Sequence, residues 1–557
     1  MSAKNSNFKI VTEENGGEYS FYLENISEET IYPEEIVVLE GNMPFDGNTC
    51  VYCDGFNMLS QYTGTVECMK NIGLYSDKEH YRFMQKEGYF TGYNYALFYA
   101  TETTLLGFSS CNRFGGEIRF NKDRVEIVQR IFSIPVKSHE KIRLEDFCIL
   151  KGEKYEVLNR FSKIIEKNHK RRRNDILPVG WCSWYCFGPN VTDKNIRDNI
   201  AVMKQKFSIM KYVLIDDGYQ NKMGDWLENN IEFGSIKKLC DEICSAGLEP
   251  AIWIAPFVAE KNSRLFKEHP DYFVKDDSGE PLASDRVTFG GWRCAPWYML
   301  DGTHPEARAY IKRVFKTMKK KYNCSYFKLD ANMWGAMPFG KRYDNTKTPI
   351  EGYRMMMETI CEAVGEDGFI LGCNAPMWPS LGLVNAMRTS GDVSRNTKVL
   401  SECAKENMLR AWQNERLWLC DTDCLVLTDN RKDLVDAGGK LLKEDMISKD
   451  ELLYSAAYAF ACGGSVIFSG DDMTKYKKRE IEFYNKIKLA EKNELYFNGN
   501  NIEISKNEKY YVILNDTDRE KVYSIAAEKI FDFVSGREIE NPVKVSAHCG
   551  KIIAYKL

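Results

Sequence analysis

The run YFKLDAN (326–332) places strand-forming residues ahead of an aspartate. Tyr326, Phe327 and Leu329 suit a pleated, buried surface, whereas aspartate is depleted in strands and costly to bury without partners. The run reads as a short buried strand that stops at Asp330. A helical pattern, PEARAYIKRVFKTMKKKY (305–322), precedes it. Working outward, the same alternation recurs. Strand-like PVGWCSWY (178–185), KYVLIDDGY (211–219), EPAIWIAPF (249–257), FILGCNAP (369–376), AMRTSGD (386–392), RLWLCDTDC (416–424) and SVIFSGDD (465–472) are separated by segments such as DKNIRDNIAVMKQKF (193–207) and GSIKKLCDEICSAG (234–247). Strands alternating with helices imply a parallel sheet, and eight of them imply a (β/α)8 barrel. A doubly wound open sheet is the competing topology on counting alone.

The flanks read differently. Up to about residue 165, short β-branched or alternating runs such as FKIVTE, TIYPEEIVVLEG and GEIRFNKDRVEIVQRIFSIPVKS are broken by turn residues, the pattern of an antiparallel β-sandwich. EKYEVLNRFSKIIEKNH (153–169) closes this region as a helix. From about 490 short strands return, among them VYSIAA and GKIIAYKL. The expected architecture is thus multidomain: an N-terminal β-sandwich over 1–170, a barrel over 176–485 and a C-terminal antiparallel β-domain over 490–557.

With 557 residues, 44% of them hydrophobic, the chain can bury a large core, and its net charge of −4 disfavours nucleic acid as a partner. The one basic run, KNHKRRR (167–173), reads as the solvated end of a helix. An apolar signal-peptide core and a membrane-length apolar stretch are lacking, and eighteen cysteines without a regular spacing suit a reducing compartment, so the expected location is cytoplasmic. Cys50 and Cys53 form a single CxxC with no obvious second ligand pair, the histidines are isolated, and no P-loop or dinucleotide fingerprint occurs. The expectation is an enzyme without metal or cofactor.

In such a barrel chemistry collects where strands end. Here the ends carry Trp181 and Trp184, Asp216 and Asp217, Trp253, Lys328 and Asp330, Cys373, Arg388 and Asp392, Asp421 and Asp423, Asp471 and Asp472. Each singly could cap a helix or fill the core. Together, carboxylates and tryptophans on one rim point to carbohydrate chemistry: paired carboxyl groups cleave glycosidic bonds, and aromatic faces stack on sugar rings.

At these motifs the chain resembles glycoside hydrolase family 36, the α-galactosidases, which shares a clan with family 27. The motifs GWCSWY, IDDGYQNKMGDW, IWIAPFVAEKNSRLFKEHPDYFVK, YFKLD, ILGCNAP, MRTSGD and TDCLVL stand in the family's order. The resemblance implies a β-supersandwich, a catalytic barrel and a C-terminal β-domain, and a retaining double displacement. It makes Asp330 the nucleophile and Asp392 the general acid/base, with carboxyl groups roughly 5–5.5 Å apart. Asp216 and Asp217 would bind the galactose 4- and 6-hydroxyls, Trp253 would pack on the sugar, and Lys328 would hold a hydroxyl beside the nucleophile. Arg388 would lie near the 2-position, Cys373 and Asn374 would shape the pocket for the 2-substituent, and Trp181, with Trp184, would shape its floor. Lys328 beside Asp330 is expected to favour the ionised nucleophile.

Three features depart from the family pattern. Asn374 stands where members often have glycine, VSRN follows the GD of Asp392, and DGFNMLSQ (54–61) replaces a GWQSW-like loop, with Phe56 and Leu59 at the tryptophan positions. Trp378 is a candidate compensating aromatic surface, and Asp421 and Asp423 read as structural. The expected activity is that of an exo-α-galactosidase on raffinose- or melibiose-type sugars, a small-molecule carbohydrate being the partner. Alternatives are an α-N-acetylgalactosaminidase, a transglycosylase of the same family, a non-catalytic sugar-binding protein, and more remotely a metal- or redox-dependent enzyme. The β-rich ends are compatible with a homo-oligomer.

Overall fold

The computed structural model describes residues 7–173, 178–231, 233–395, 397–428 and 465–486, then 494–498, 501–506, 510–515, 517–533, 535–547 and 549–555. The architecture is the one expected: an antiparallel β-sandwich, a (β/α)8 barrel and a C-terminal antiparallel β-unit. The N-terminal strands, from Phe8–Asn15 to Phe147–Gly152, join one branched twelve-stranded antiparallel sheet. The helix Lys154–Asn168 lies against it through Val157, Leu158, Phe161, Ile164 and Ile165, which recur at helical spacing. Its Phe161 packs so closely on Gly107 that a side chain there would sit 2.6 Å from the ring.

Eight parallel strands form the barrel: Val179–Cys182, Tyr212–Ile215, Glu249–Ile254, Tyr326–Leu329, Phe369–Gly372, Ala386–Arg388, Leu419–Asp421 and Ile467–Ser469. The first pairs with the eighth, and the bridges Asp421↔Val466 and Leu425↔Ser469 join the seventh to the eighth, so the sheet closes. Closure removes the open-sheet alternative. Helix Pro305–Lys321 starts on the His304 side chain and buries Ala307, Ile311, Val314, Phe315 and Met318. Phe315 meets Phe327 of the fourth strand at 5.4 Å between rings. That packing fixes the direction in which Lys328 and Asp330 leave the strand. A short hairpin, Val258–Glu260 paired with Trp297–Met299, follows the third strand and is not evident in the sequence pattern. Among the described residues no helix is long and apolar enough to cross a membrane.

The sandwich is welded to the barrel by polar contacts inside an apolar seam. Trp378 donates its indole N–H to Phe108 O at 2.6 Å and stacks on Tyr95, while Trp412 donates to the Tyr95 hydroxyl at 2.9 Å. Trp378 is thus a core residue of the seam, not an aromatic surface for a ligand. Arg410 Nε and Nη2 donate to Asp54 Oδ1 at 3.0 and 2.6 Å, with both side chains fully buried. Two contacts set the position of the loop between Asp54 and Gln61: Met58 N–H donates to Ala375 O and Met377 N–H to Phe56 O, each at 2.9 Å.

Candidate active site

A cavity of about 300 Å³ opens at the C-terminal ends of the barrel strands. Asp216, Asp217, Trp253, Lys328, Asp330, Cys373, Asn374 and Asp392 all line it. Parallel register explains part of this convergence: Trp253 on the third strand lies beside Lys328 on the fourth, and Leu329 beside Gly372 on the fifth. Side chains two apart share a face, so Lys328 and Asp330 both point into the mouth.

Asp330 is held by two donors. Trp253 Nε1–H reaches Oδ2 at 3.0 Å and Ala331 N–H reaches Oδ1 at 2.7 Å. Lys328 Nζ donates not to Asp330 but to Asp216 Oδ2, at 2.9 Å. Burial raises the Asp330 carboxyl above its ordinary range, and Lys328, Trp253 and Ala331 only partly offset it. Lys328 does favour the ionised form, as expected, but desolvation is the larger effect. Burial alone would lower Lys328, yet Asp216, with smaller help from Asp330, holds the ammonium well above its usual value. Asp216 also accepts from Cys182 Sγ at 3.3 Å.

Asp217 is gripped by a residue the sequence reading missed. Arg293 Nε donates to Oδ2 at 2.7 Å, its Nη2 donates to Oδ1, and Gln220 Nε2 reaches Oδ1 at 2.6 Å. Arg293 and Trp292 both line the cavity. They stand on a loop whose Gly291 has φ +119°, and any Cβ there would come within 2.6 Å of the Trp297 ring. Only glycine fits. The pair Gly290–Gly291 ahead of Trp-Arg was the available signal, but nothing local tells that this loop folds over the second strand's end.

On the opposite wall Asn374 adopts φ 38°, a left-handed conformation that asparagine tolerates better than most residues. Its Oδ1 accepts from Tyr81 at 2.9 Å and its N–H faces Met58 Sδ at 3.0 Å. The wall beyond comes from the sandwich: Met58, Leu59, Leu74 and Tyr75 line the cavity. Leu59 thus reaches the site as expected. Phe56 does not. It points away, packed edge-on against Phe83 and Tyr93.

Two candidate binding residues lie beneath the cavity and do not line it. Trp181 is fully buried and donates its indole N–H to Asp471 O at 2.7 Å, so it supports the floor from below, while its half-buried neighbour Trp184 lines the cavity. Trp181 thus shapes the floor without touching the cavity, and its place as a candidate binding residue is corrected: it is fully buried and does not line the cavity. Arg388, also buried, bonds Asp392 Oδ1 through Nη2 at 2.8 Å, and the same nitrogen meets Asp423 Oδ2 and the Tyr185 hydroxyl. Burial raises the Cys373 thiol well above its normal value, keeping it protonated. Among the described residues no group of three or more His, Cys, Asp or Glu is arranged to hold a metal ion.

Behind the Asp392 loop, Glu406 accepts from Gly391 N–H at 3.1 Å. Burial pushes its carboxyl up to about 8, against opposing pulls from Arg410, that N–H and Arg388, with Glu402 adding a small push upward. An unfolded glutamate ionises near pH 4.5. Between about 4.5 and about 8 the unfolded chain thus releases a proton that the folded chain keeps, and stability falls as pH rises. We expect the melting temperature of the wild type to drop between pH 5 and 9 by more than that of Glu406→Gln. Parallel curves for the two proteins would refute the assignment of a neutral buried Glu406.

This build, a β-sandwich that reaches into the mouth of a carboxylate-lined (β/α)8 barrel, shares its fold with solved family 36 α-galactosidases. Residues 152–361 match the family model described as Melibiase, and the resemblance to family 36 carried by the barrel motifs is borne out. A "Myogenesis-regulating glycosidase" of Mus musculus is 27% identical over 160 residues, 28% of this chain and 22% of that protein. The chain therefore matches only about a fifth of that curated relative's length. An α-galactosidase from Thermus thermophilus, solved with p-nitrophenyl α-D-galactopyranoside, superposes with a TM-score of 0.66 at 20% identity, covering 89% of this chain and 97% of that one. The family 36 α-galactosidase AgaA of Geobacillus stearothermophilus gives a TM-score of 0.65 at 11% identity, covering 99% and 81%.

Proposed function

We propose that the chain is a retaining exo-α-galactosidase acting on small raffinose- or melibiose-type sugars. The observation that carries this reading is the placement of Asp330: a strand-end carboxylate in the cavity, held by two N–H donors, with Asp392 on the same cavity. In the first step a carboxylate oxygen of Asp330 attacks the anomeric carbon. The bond from that carbon to the glycosidic oxygen breaks, its electron pair stays on the oxygen, and the Asp392 proton moves there as the aglycone leaves. Water then attacks the same carbon, gives a proton to Asp392, and the ester to Asp330 breaks with release of galactose. Asp216 and Asp217 accept hydroxyl hydrogen bonds, Trp253 and Trp292 offer faces to the ring, and Lys328 is a fixed donor beside Asp330.

The test is a panel of nitrophenyl glycosides: α-galactoside, α-N-acetylgalactosaminide, β-galactoside and α-glucoside. The expected result is release from the α-galactoside alone, with the α-anomer of galactose as first product by NMR. Preference for the N-acetylated sugar would mean that the Cys373–Asn374 wall admits a 2-acetamido group. No release from any of them would leave the transferase and binding-protein readings in force.

A further inference from the structure

Asp392 is the weakly held member of the proposed catalytic pair. Its side chain is 60% exposed and sits on the loop after the sixth strand. What orients it lies one layer deeper. Arg388, only 1% exposed, donates to Asp392 Oδ1, and the same Nη2 bonds Asp423 Oδ2. Asp423 Oδ2 also accepts the Val393 N–H at 2.9 Å and the Tyr185 hydroxyl, while its Oδ1 accepts Cys424 N–H at 2.7 Å. One buried carboxylate, on a residue held at φ 75° beyond the seventh strand, thereby grips both the side-chain anchor of Asp392 and the main chain of the residue that follows it.

We propose that Asp423 is a positioning residue of the reaction, fixing Asp392 toward the leaving group through Arg388 and Val393. This rests on the reading of Asp392 as the acid/base. The physical reason is competition for one guanidinium. While Asp423 shares Arg388, the cation is balanced from below and holds Asp392 by a single bond, at Oδ1. Without that charge, Arg388 is a buried cation with Asp392 as its remaining carboxylate partner at that nitrogen, and the pair closes on itself, away from the glycosidic oxygen. Other ionisable or polar groups facing the cluster are Tyr75, Asp330, Cys373, Cys403, Asp421 and Lys328, none of which bonds both Arg388 and the Val393 main chain.

A leaving group's need for a proton separates this role from general damage. The sucrose moiety of raffinose leaves as an alkoxide unless its oxygen is protonated, whereas fluoride leaves α-galactosyl fluoride with little acid assistance. For Asp423→Asn we expect kcat/KM on raffinose to fall ~30–100-fold, the range for misplacing a general acid, and on α-galactosyl fluoride by less than about 5-fold. If Asp423→Asn does not fold, Tyr185→Phe removes a hydroxyl bonded to both Asp423 and Arg388 and should show a smaller loss with the same split. Equal losses on the two substrates, or no loss on raffinose, would overturn the positioning role. Asp392→Gly is measured alongside. It should show a larger split and gain activity with azide, forming α-galactosyl azide. If it shows neither, the acid/base reading falls and this proposal falls with it; if it shows both while Asp423→Asn shows no split, only the positioning role is lost.

Discussion

Asp330→Asn is expected to lose at least ~10³-fold in kcat, about 4 kcal/mol of transition-state stabilisation, while still binding raffinose. The retained binding follows from the geometry: Asp216, Asp217 and Lys328 are positioned by one another, by Cys182 and by Arg293, not by Asp330. The substitution is not silent in the ground state. Both Asp330 oxygens accept from N–H groups, and an amide can accept from only one of them, so its NH2 must face either Trp253 Nε1–H or Ala331 N–H. One mismatched bond costs on the order of 1–3 kcal/mol. Asp330→Gly is therefore the cleaner companion. It leaves room for azide to attack from the vacated side and to give β-galactosyl azide, the anomer opposite to the substrate. Turnover within tenfold of wild type in both variants would remove Asp330 from the reaction. So would formation of the α-azide in Asp330→Gly.

The second large effect is on stability. Arg410→Met should destabilise the chain by ~3–5 kcal/mol, read as a lowered midpoint in urea. Asp54 would be left as a buried carboxylate without its cation, and the carbonyls of Met58 and Ser60, both bonded by Arg410, would lose that donor. Removing Asp54 as well relieves the unpaired charge but not the carbonyls, so the double variant Asp54→Leu/Arg410→Met should recover only part of the loss. Because that loop carries Met58 and Leu59 to the cavity wall, the surviving fraction of folded Arg410→Met should also bind substrate more weakly. A midpoint within experimental error of wild type would show that the loop is held by its apolar contacts alone.

Much was legible in the sequence because the signals were local. A buried parallel strand must be short, apolar and bounded, so each of the eight barrel strands announced itself, and a polar residue just past each apolar run marked the rim. The helix Lys154–Asn168 and the Asp330 strand end follow from the same periodicity. Carboxylates and tryptophans at those ends were enough to point to sugars, and the spacing of the motifs to a family.

What local pattern cannot carry is which side chain meets which across the barrel. Lys328 stands two residues from Asp330 in sequence, yet its ammonium bonds Asp216 from another strand, and Asp330 takes its donors from Trp253 and Ala331. Arg293 lies 76 residues from the Asp217 it clamps, on a loop that no periodicity describes. Trp181 and Trp184 look equivalent in GWCSWY, but the strand sends one into the packed interior and the strand end leaves the other at the cavity. Asp423 passes in the sequence for one more rim carboxylate, and only the closed barrel brings it under Arg388 and Val393. Strand identity and strand ends depend on near-neighbour hydrophobicity and backbone sterics, which a short stretch contains. Hydrogen-bond partners and cavity walls depend on register and closure, which exist only once all eight strands have met.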